Sequence, residues 1–361
     1  MKLGLVRRGY SPTGGAENYL LRFAEAARAA GHECVLFASD EWPDAWPSAR
    51  VRITGRSPRA FADALAAARP REHCDFLLSL ERVWKCDAYR AGDGVHAESL
   101  AQRARYEPGW RGFFRRFNLK HRALLEIERS LFGSDGARLV IANSQFVKRG
   151  IESHFNFPPE RIHVVHNGVP AFAPPPNARA DVRRELGLDA AEYVLLFAGS
   201  GWERKGLRFA IEAMNAANVG TLLVAGRGNA GAMPKSDRVR YLGPVRDMAG
   251  VLAAVDTFVL PTIYEPFSNA CLEALAAGLP VITTAHNGFA EIIEPGIEGD
   301  VIAEADDVPA LARAIEGWHS ADRRASVRAR LAEKGARFSI GENVRSTLAI
   351  IGNAMNSAPS A

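Results

Sequence analysis

The chain has 361 residues, 47% of them hydrophobic and 24% charged, a composition that excludes a disordered or collagen-like protein and suffices for two domains with their own cores. Its formal net charge is only +4, so a nucleic-acid-binding protein with a broadly basic surface is not expected. The four cysteines, Cys34, Cys74, Cys86 and Cys271, form no Cys-x-x-Cys pair and no His-flanked ligand spacing, which argues against a disulfide framework or a structural zinc site.

At the N-terminus, too few apolar residues precede Arg7-Arg8 for a secretory signal, and every long uncharged stretch is broken by Gly, Pro, His or Asn. The expectation is a cytoplasmic chain without a membrane span. Apolar β-branched runs then alternate with helix-period segments, the pattern of βαβ units and parallel sheets. Strands are predicted near 3–6, 34–38, 76–80, 139–142 and 163–165, with helices near 16–30, 60–68, 112–132 and 146–155. After His166-Asn167-Gly168-Val169 and a proline-rich stretch that forbids regular structure, strands are predicted near 194–198, 221–225, 239–242, 257–260 and 281–283. Helices are predicted between them and beyond, near 207–216, 248–254, 269–277, 308–318, 323–338 and 340–355. The fold class is α/β: two Rossmann-like domains, 1–168 and 169–339, expected to face each other across a cleft, with a last helix in 340–361 expected to cross back and pack on the first domain.

Three segments carry candidate chemistry. Gly14-Gly15 lies between the first strand and first helix, where paired glycines allow close backbone approach and the helix start offers N–H groups to an anion; a plain strand-to-helix turn explains it equally well. The spacing is not Gly-x-Gly-x-x-Gly, which removes the dinucleotide-oxidoreductase fingerprint. Arg204-Lys205-Gly206 follows the first strand of the second half, at the carboxyl edge of a parallel sheet, where open α/β folds bind ligands. Two cations at a helix start oppose the helix dipole, so an anion is expected to compensate them. In Glu265-Pro266-Phe267-Ser268-Asn269-Ala270-Cys271-Leu272-Glu273, Ser268 is a good N-cap. The amides of Ser268, Asn269 and Ala270 are then expected to point out of the helix toward a phosphate. Glu265 hangs in the loop and Glu273 lies one turn into the helix; taken singly, each also reads as an ordinary solvated acid.

Together, the Glu265-x7-Glu273 element, Arg204-Lys205-Gly206, Gly14-Gly15 and Asn167-Gly168-Val169, in this order over almost the whole chain, resemble the family-4 retaining glycosyltransferases of GT-B fold. Within that family the chain is most similar to lipopolysaccharide-core glucosyltransferases, through Ala91-Gly92-Asp93-Gly94-Val95-His96-Ala97-Glu98 and the segment 106–132. It departs from them at Phe267-Ser268-Asn269, which bears on the donor sugar.

The resemblance implies that Glu273 binds the ribose of a nucleotide-sugar donor, UDP-glucose, and that Glu265 contacts hydroxyls of the transferred hexose, glucose. Arg204 and Lys205 are implied to neutralise the departing diphosphate. No Asp-x-Asp occurs in the sequence, so neither a metal nor a cofactor is expected. Asp93 is implied to orient the acceptor hydroxyl or stabilise an oxocarbenium-like state, with His96 as second choice; a simple Asp-Gly turn is the alternative. Gly14, Gly15, Phe267, Ser268 and Asn269 complete the implied substrate contacts. The implied acceptor is a lipid-linked oligosaccharide, the lipopolysaccharide inner core.

Between residues 103 and 122, seven basic residues face one acid. Trp110, Phe113, Phe114 and Phe117 follow i, i+3, i+4, i+7 spacing with Arg111, Arg115, Asn118 and Arg122 opposite, an amphipathic helix over about 110–122 suited to an anionic membrane interface. Core packing of its aromatics is the alternative. The expectation is a peripheral protein at the inner face of the cell membrane. A nucleotide-sugar epimerase of the same fold, or a silent membrane-surface scaffold, are the competing functions.

Overall fold

The computed structural model describes residues 1–11, 15–43, 46, 49–107 and 118–356. They divide into two compact units: Met1–Asn167 with the residues from Ile340 onward, and Gly168–Ser339.

The first unit is built on seven parallel strands: β1 Lys2–Val6, β2 Glu33–Ala38, β3 Ala49–Arg52, β4 Phe76–Ser79, β5 Cys86–Ala91, β6 Ala137–Ala142 and β7 Ile162–Val164, in the spatial order β3-β2-β1-β4-β5-β6-β7. Its helices are α1 Gly15–Ala29, α2 Pro58–Ala67, α3 His96–Tyr106, α4 Leu119–Leu131 and α5 Gln145–His154. Central strands such as β1 and β4 are buried along their length, as expected when helices cover both sheet faces. One core layer gathers Phe37, Phe61, Leu131, Val140 and Ile151, and another Leu5, Leu20, Phe23, Leu36 and Leu78.

The second unit repeats the plan with six parallel strands, β8 Val194–Ala198, β9 Thr221–Ala225, β10 Val239–Gly243, β11 Thr257–Leu260, β12 Val281–Thr284 and β13 Gly299–Ile302, ordered β10-β9-β8-β11-β12-β13. Helices α6 Ala178–Glu185, α7 Leu207–Ala217, α8 Met248–Ala254, α9 Asn269–Ala276, α10 Val308–Gly317 and α11 Ala321–Ala336 accompany them. The final helix, α12 Ile340–Asn356, belongs to the first unit. Its Val344 and Ile351 join the layer containing Leu20 and Phe23, and Asn343 accepts from the Tyr19 hydroxyl at 2.9 Å and donates to the His166 carbonyl at 2.6 Å.

In both sheets the strand order reverses beside the first strand of the unit, between β1 and β4 and between β8 and β11. Loops leaving the carboxyl ends of these pairs diverge there, and open α/β sheets bind ligands at such points.

The basic segment corrects one expectation. Residues 108–117, including Trp110, Arg111, Phe113, Phe114, Arg115 and Phe117, lie outside the described residues. Asn118 has extended backbone (φ −74°, ψ 107°) and caps a new helix, its side chain accepting from the amides of Lys120 and His121. A single helix does not run through 110–122, because a short polar side chain that can satisfy the first free amides favours a helix start. Arg122 therefore stands in the first turns of α4, whose buried residues are Ile127, Glu128 and Leu131. No described helix is long and apolar enough to cross a membrane.

Candidate functional site

In the second unit, the loop leaving β8 carries Arg204 and Lys205, and the loop leaving β11 carries Glu265. The Arg204 guanidinium donates to Glu265 Oε2 at 2.8 Å and to the Tyr264 carbonyl at 2.8 Å, while Lys205 Nζ lies 3.2 Å from the same carboxylate oxygen. The two loops are also laced through backbone: the Arg204 carbonyl accepts from the Ile263 amide and the Thr262 hydroxyl, each at 3.0 Å. Gly206 makes this closeness possible. It has φ +75°, and a Cβ there would stand 1.9 Å from the Pro261 carbonyl oxygen, so only glycine fits.

Burial raises the cost of ionising Glu265, but Lys205 and Arg204 outweigh it and hold its carboxyl at about 2. The sequence places two cations where an anion is needed; the structure supplies a carboxylate of the chain itself. Glu265 is thus not a solvated loop acid, and the trio keeps one net positive charge.

Three residues after Glu265, Ser268 caps α9, accepting from the Cys271 amide at 3.3 Å. Its own amide donates to Asn287 Oδ1 at 3.3 Å, so of the three amides expected to face a ligand, that of Ser268 is engaged internally. Phe267 is buried against Phe289, ring centroids 6.1 Å apart, so its side chain packs into the core beside the loop. Asn269 and Ala270 are half-buried at the helix start. Glu273 lines a cavity of about 290 Å³ with Pro170–Ala173 and Arg246–Ala249.

Sequence reasoning missed Asn287. Besides Ser268, Asn287 Oδ1 accepts from the Phe289 amide, and Nδ2 donates to Thr283 Oγ1 at 2.9 Å. The Gly288 amide donates to the Glu265 carbonyl, and the Glu265 amide to the His286 carbonyl, each at 2.9 Å. A polar residue three positions after a strand end is the only signal the sequence offers.

In the first unit, Arg7 follows β1 and converges with three acids: Glu17 at 3.0 Å, Asp93 at 3.5 Å and Glu81 at 3.9 Å. The guanidinium is mostly buried, and Asp93, Glu81 and Glu17 outweigh that burial to keep it firmly protonated. Asp93 sits in a turn closed by the Gly94 amide donating to the Ala91 carbonyl, and its side chain is 49% exposed. The turn reading of Asp93-Gly94 is correct as geometry, and it leaves the carboxylate open to solvent beside a fixed cation. Gly15 opens α1, two residues before Glu17; Gly14 lies outside the described residues.

Behind this turn is a buried ion pair. Arg82 Nε meets Glu128 Oε1 at 3.0 Å, with side chains 7% and 0% exposed, and Arg82 Nη2 donates to the Gly94 carbonyl at 2.7 Å. Glu128 in turn accepts from the His96 and Ala97 amides at 2.7 and 3.2 Å, satisfying the start of α3. His96 Nε2 meets His121 Nδ1 at 3.1 Å. Burial, then Arg82, His121, Lys120 and Arg103, lower the His96 ring to about 4, so it is neutral at physiological pH.

Two family models cover both halves of the chain: "Glycosyltransferase Family 4" over residues 13–171 and "Glycosyl transferases group 1" over residues 192–320. The chain belongs to the family-4 glycosyltransferases. Among curated relatives of this glycosyltransferase, the lipopolysaccharide glucosyltransferase WaaG of Escherichia coli K12 is 27% identical over 320 residues, 82% of this chain and 83% of that one. A crystal structure of WaaG, 23% identical, superposes with a TM-score of 0.80 over 97% of this chain and 99% of that one. A structure of HepE from Anabaena in complex with UDP and glucose, 18% identical, gives 0.74 over 99% and 100%. These structural matches establish the GT-B fold.

Proposed function

We propose that this glycosyltransferase moves a hexose, glucose in the first instance, from UDP-hexose to a lipid-linked oligosaccharide of the lipopolysaccharide inner core, with retention at the anomeric carbon and without a metal. The observation that carries the reading is the Arg204–Lys205–Glu265 trio at the strand-order reversal of the second unit, whose Glu265 lies in the loop that leads into α9, the helix of Glu273 and its cavity. The name of the WaaG relative and the UDP and glucose held by HepE support the acceptor and donor classes.

In this reading the Glu273 carboxylate accepts from the ribose hydroxyls and the adjoining cavity takes the base. Arg204 and Lys205 neutralise the diphosphate as the bond from anomeric carbon to phosphate oxygen breaks; cations already held in place stabilise that charge without reorganisation. Glu265 orders them and presents its carboxylate to hydroxyls of the transferred sugar. Asp93, aligned by Arg7, orients the acceptor hydroxyl, which attacks from the face the diphosphate leaves while the departing phosphate oxygen takes its proton. His96, neutral and held against His121, supports the turn from behind. The basic-aromatic segment 103–122 draws the enzyme to anionic lipid at the inner face of the membrane.

Calorimetry with UDP-glucose in the presence of EDTA tests the donor half. Micromolar binding that persists in EDTA and weakens about tenfold or more in Glu273→Ala supports it. Binding of UDP or GDP but not UDP-glucose makes the sugar wrong; no nucleotide binding overturns the reading. Anomeric configuration of the product, read by NMR, tests retention.

A further inference from the structure

A second cationic feature of the first unit belongs to neither the Arg7 cluster nor the Arg204–Lys205 pair, and shares only Lys120 and Arg122 with the basic segment 103–122. Arg8, next to Arg7 at the carboxyl end of β1, lines a groove of about 620 Å³ with Arg56, Arg59, Lys120, Arg122 and Glu126. Among the described residues five cations thus surround one acid, and that acid is taken by Arg59, at 2.7 Å. Arg8, Arg56, Lys120 and Arg122 form no ion pair among the described residues. Arg8 Nη1 donates to the Arg56 carbonyl at 3.0 Å, but its buried Nε has no hydrogen-bond partner.

The groove lies where α2 and α4 begin, capped by Ser57 and Asn118, and neither helix has an acid in its first turn. Cations there oppose both helix dipoles and one another, an arrangement unfavourable in the empty protein and relieved when an anion enters. Planar guanidinium groups suit the tetrahedral oxyanion of a phosphate. The Arg8 amide donates to Glu81, which ties this groove to the Asp93 cluster within the same unit.

We propose that the groove is an oxyanion site that binds phosphate groups carried by the acceptor, which is therefore a phosphorylated saccharide. Its concave walls favour a group that enters between two helix starts over the flat array of headgroups on a lipid surface. The identity of the ligand as acceptor rests on the function proposed above; the site itself does not.

Calorimetry at low salt with inorganic pyrophosphate, in the presence of saturating UDP, tests the site on the full chain and on Arg56→Gln/Lys120→Gln/Arg122→Gln. The expected result is a pyrophosphate binding event in wild type that weakens tenfold or more in the variant, since each lost charge-assisted hydrogen bond is worth about one order of magnitude. UDP binding stays the same in both, and the variant melts no lower than wild type. Identical pyrophosphate isotherms overturn the proposal. So does a variant that loses binding to phosphatidylglycerol vesicles while its pyrophosphate isotherm is unchanged, because the cations then serve a flat lipid surface. If UDP binds neither protein, the donor reading fails, and the difference between the two pyrophosphate isotherms still decides the groove.

Discussion

The Arg204 guanidinium and the Glu265 carboxylate, 61 residues apart in sequence, meet at 2.8 Å and join the loops leaving two neighbouring strands. Lys205 shares the same oxygen, so Glu265 restrains the charge that, in the proposed function, a diphosphate recruits. Glu265→Gln is expected to leave UDP affinity unchanged or tighter while kcat falls about a hundredfold, the cost of losing one preorganised group at the reacting centre. Equal losses in UDP affinity and kcat contradict this division of labour.

The same carboxylate has a pH signature. Its folded value, about 2, lies below its unfolded value of 4.5, so its stabilisation is fully present above about pH 4.5 and is lost as pH falls through about 2. With Arg204 one-third exposed, breaking the pair is expected to cost about 1–3 kcal/mol at pH 7. Urea unfolding of wild type and Glu265→Gln at pH 7, 4 and 3 should show that gap closing toward acid.

Gly206 and Gly201 share the same left-handed backbone, φ +75°, but differ in surroundings. Gly201→Ala meets nothing within 4 Å and should cost about 1–2 kcal/mol, the conformational penalty alone. Gly206→Ala drives a Cβ into the Pro261 carbonyl, so backbone must move; more than about 3 kcal/mol is expected, with donor affinity down more than tenfold because Arg204 moves with it. Thermal denaturation and UDP-glucose binding of the two variants, side by side, check the contrast.

Strands and helices with uniform apolar patterning, such as β8, β9, α7 and α8, are legible in the sequence nearly to the residue. β5 is not: its run Cys86–Ala91 contains Asp87 and Arg90, both buried, with Asp87 paired to cations and Arg90 hydrogen-bonded by neutral oxygens distant in sequence. Asp87 meets Arg71 and Arg138, and Arg90 meets the Val165 carbonyl and Asn167. Helices α3 and α6 escape notice for a related reason, since α3 buries no residue and α6 only Ala178 and Arg183. Arg204, Lys205, Glu265 and Glu273 could be singled out because they stand in local motifs, the first three in loops that follow strands and Glu273 in the helix that follows. Arg7, Arg82, Glu128 and Asn287 could not, because their partners are set by tertiary structure, though an acid between Ile127 and Leu131 on the buried side of α4 is a mark of internal pairing.

His96 carries a second pH dependence, of opposite sense to that of a stabilised cation. Its folded value is about 4 against 6.5 unfolded, so below pH 6.5 the unfolded chain takes up the proton first and stability falls as pH drops toward 4. His96→Gln is expected to shrink the fall in Tm between pH 7 and pH 5. It should leave the shape of the pH–rate profile between 6 and 8 unchanged, since a ring neutral over that range adds no limb to it. A limb near pH 6.5 that vanishes in the variant makes His96 a general base instead.

The Arg82–Glu128 pair separates stability from positioning. Glu128→Ala strands a buried guanidinium and frees the amides of His96 and Ala97, so a loss of about 3–5 kcal/mol is expected in urea unfolding. Arg82→Met/Glu128→Leu removes both charges and fills the space with apolar atoms, an exchange that in buried pairs is often neutral or stabilising, so most of that loss should return. The Arg82 bond to the Gly94 carbonyl and the Glu128 bonds to the start of α3 do not return. The Asp93 turn then loses its hold, and kcat with acceptor should stay at least tenfold down while UDP-glucose affinity, which the proposed function assigns to the other unit, matches wild type. Recovery of turnover along with stability would show that the pair only supports the fold; recovery of stability alone assigns it to holding the Asp93 turn in its working position.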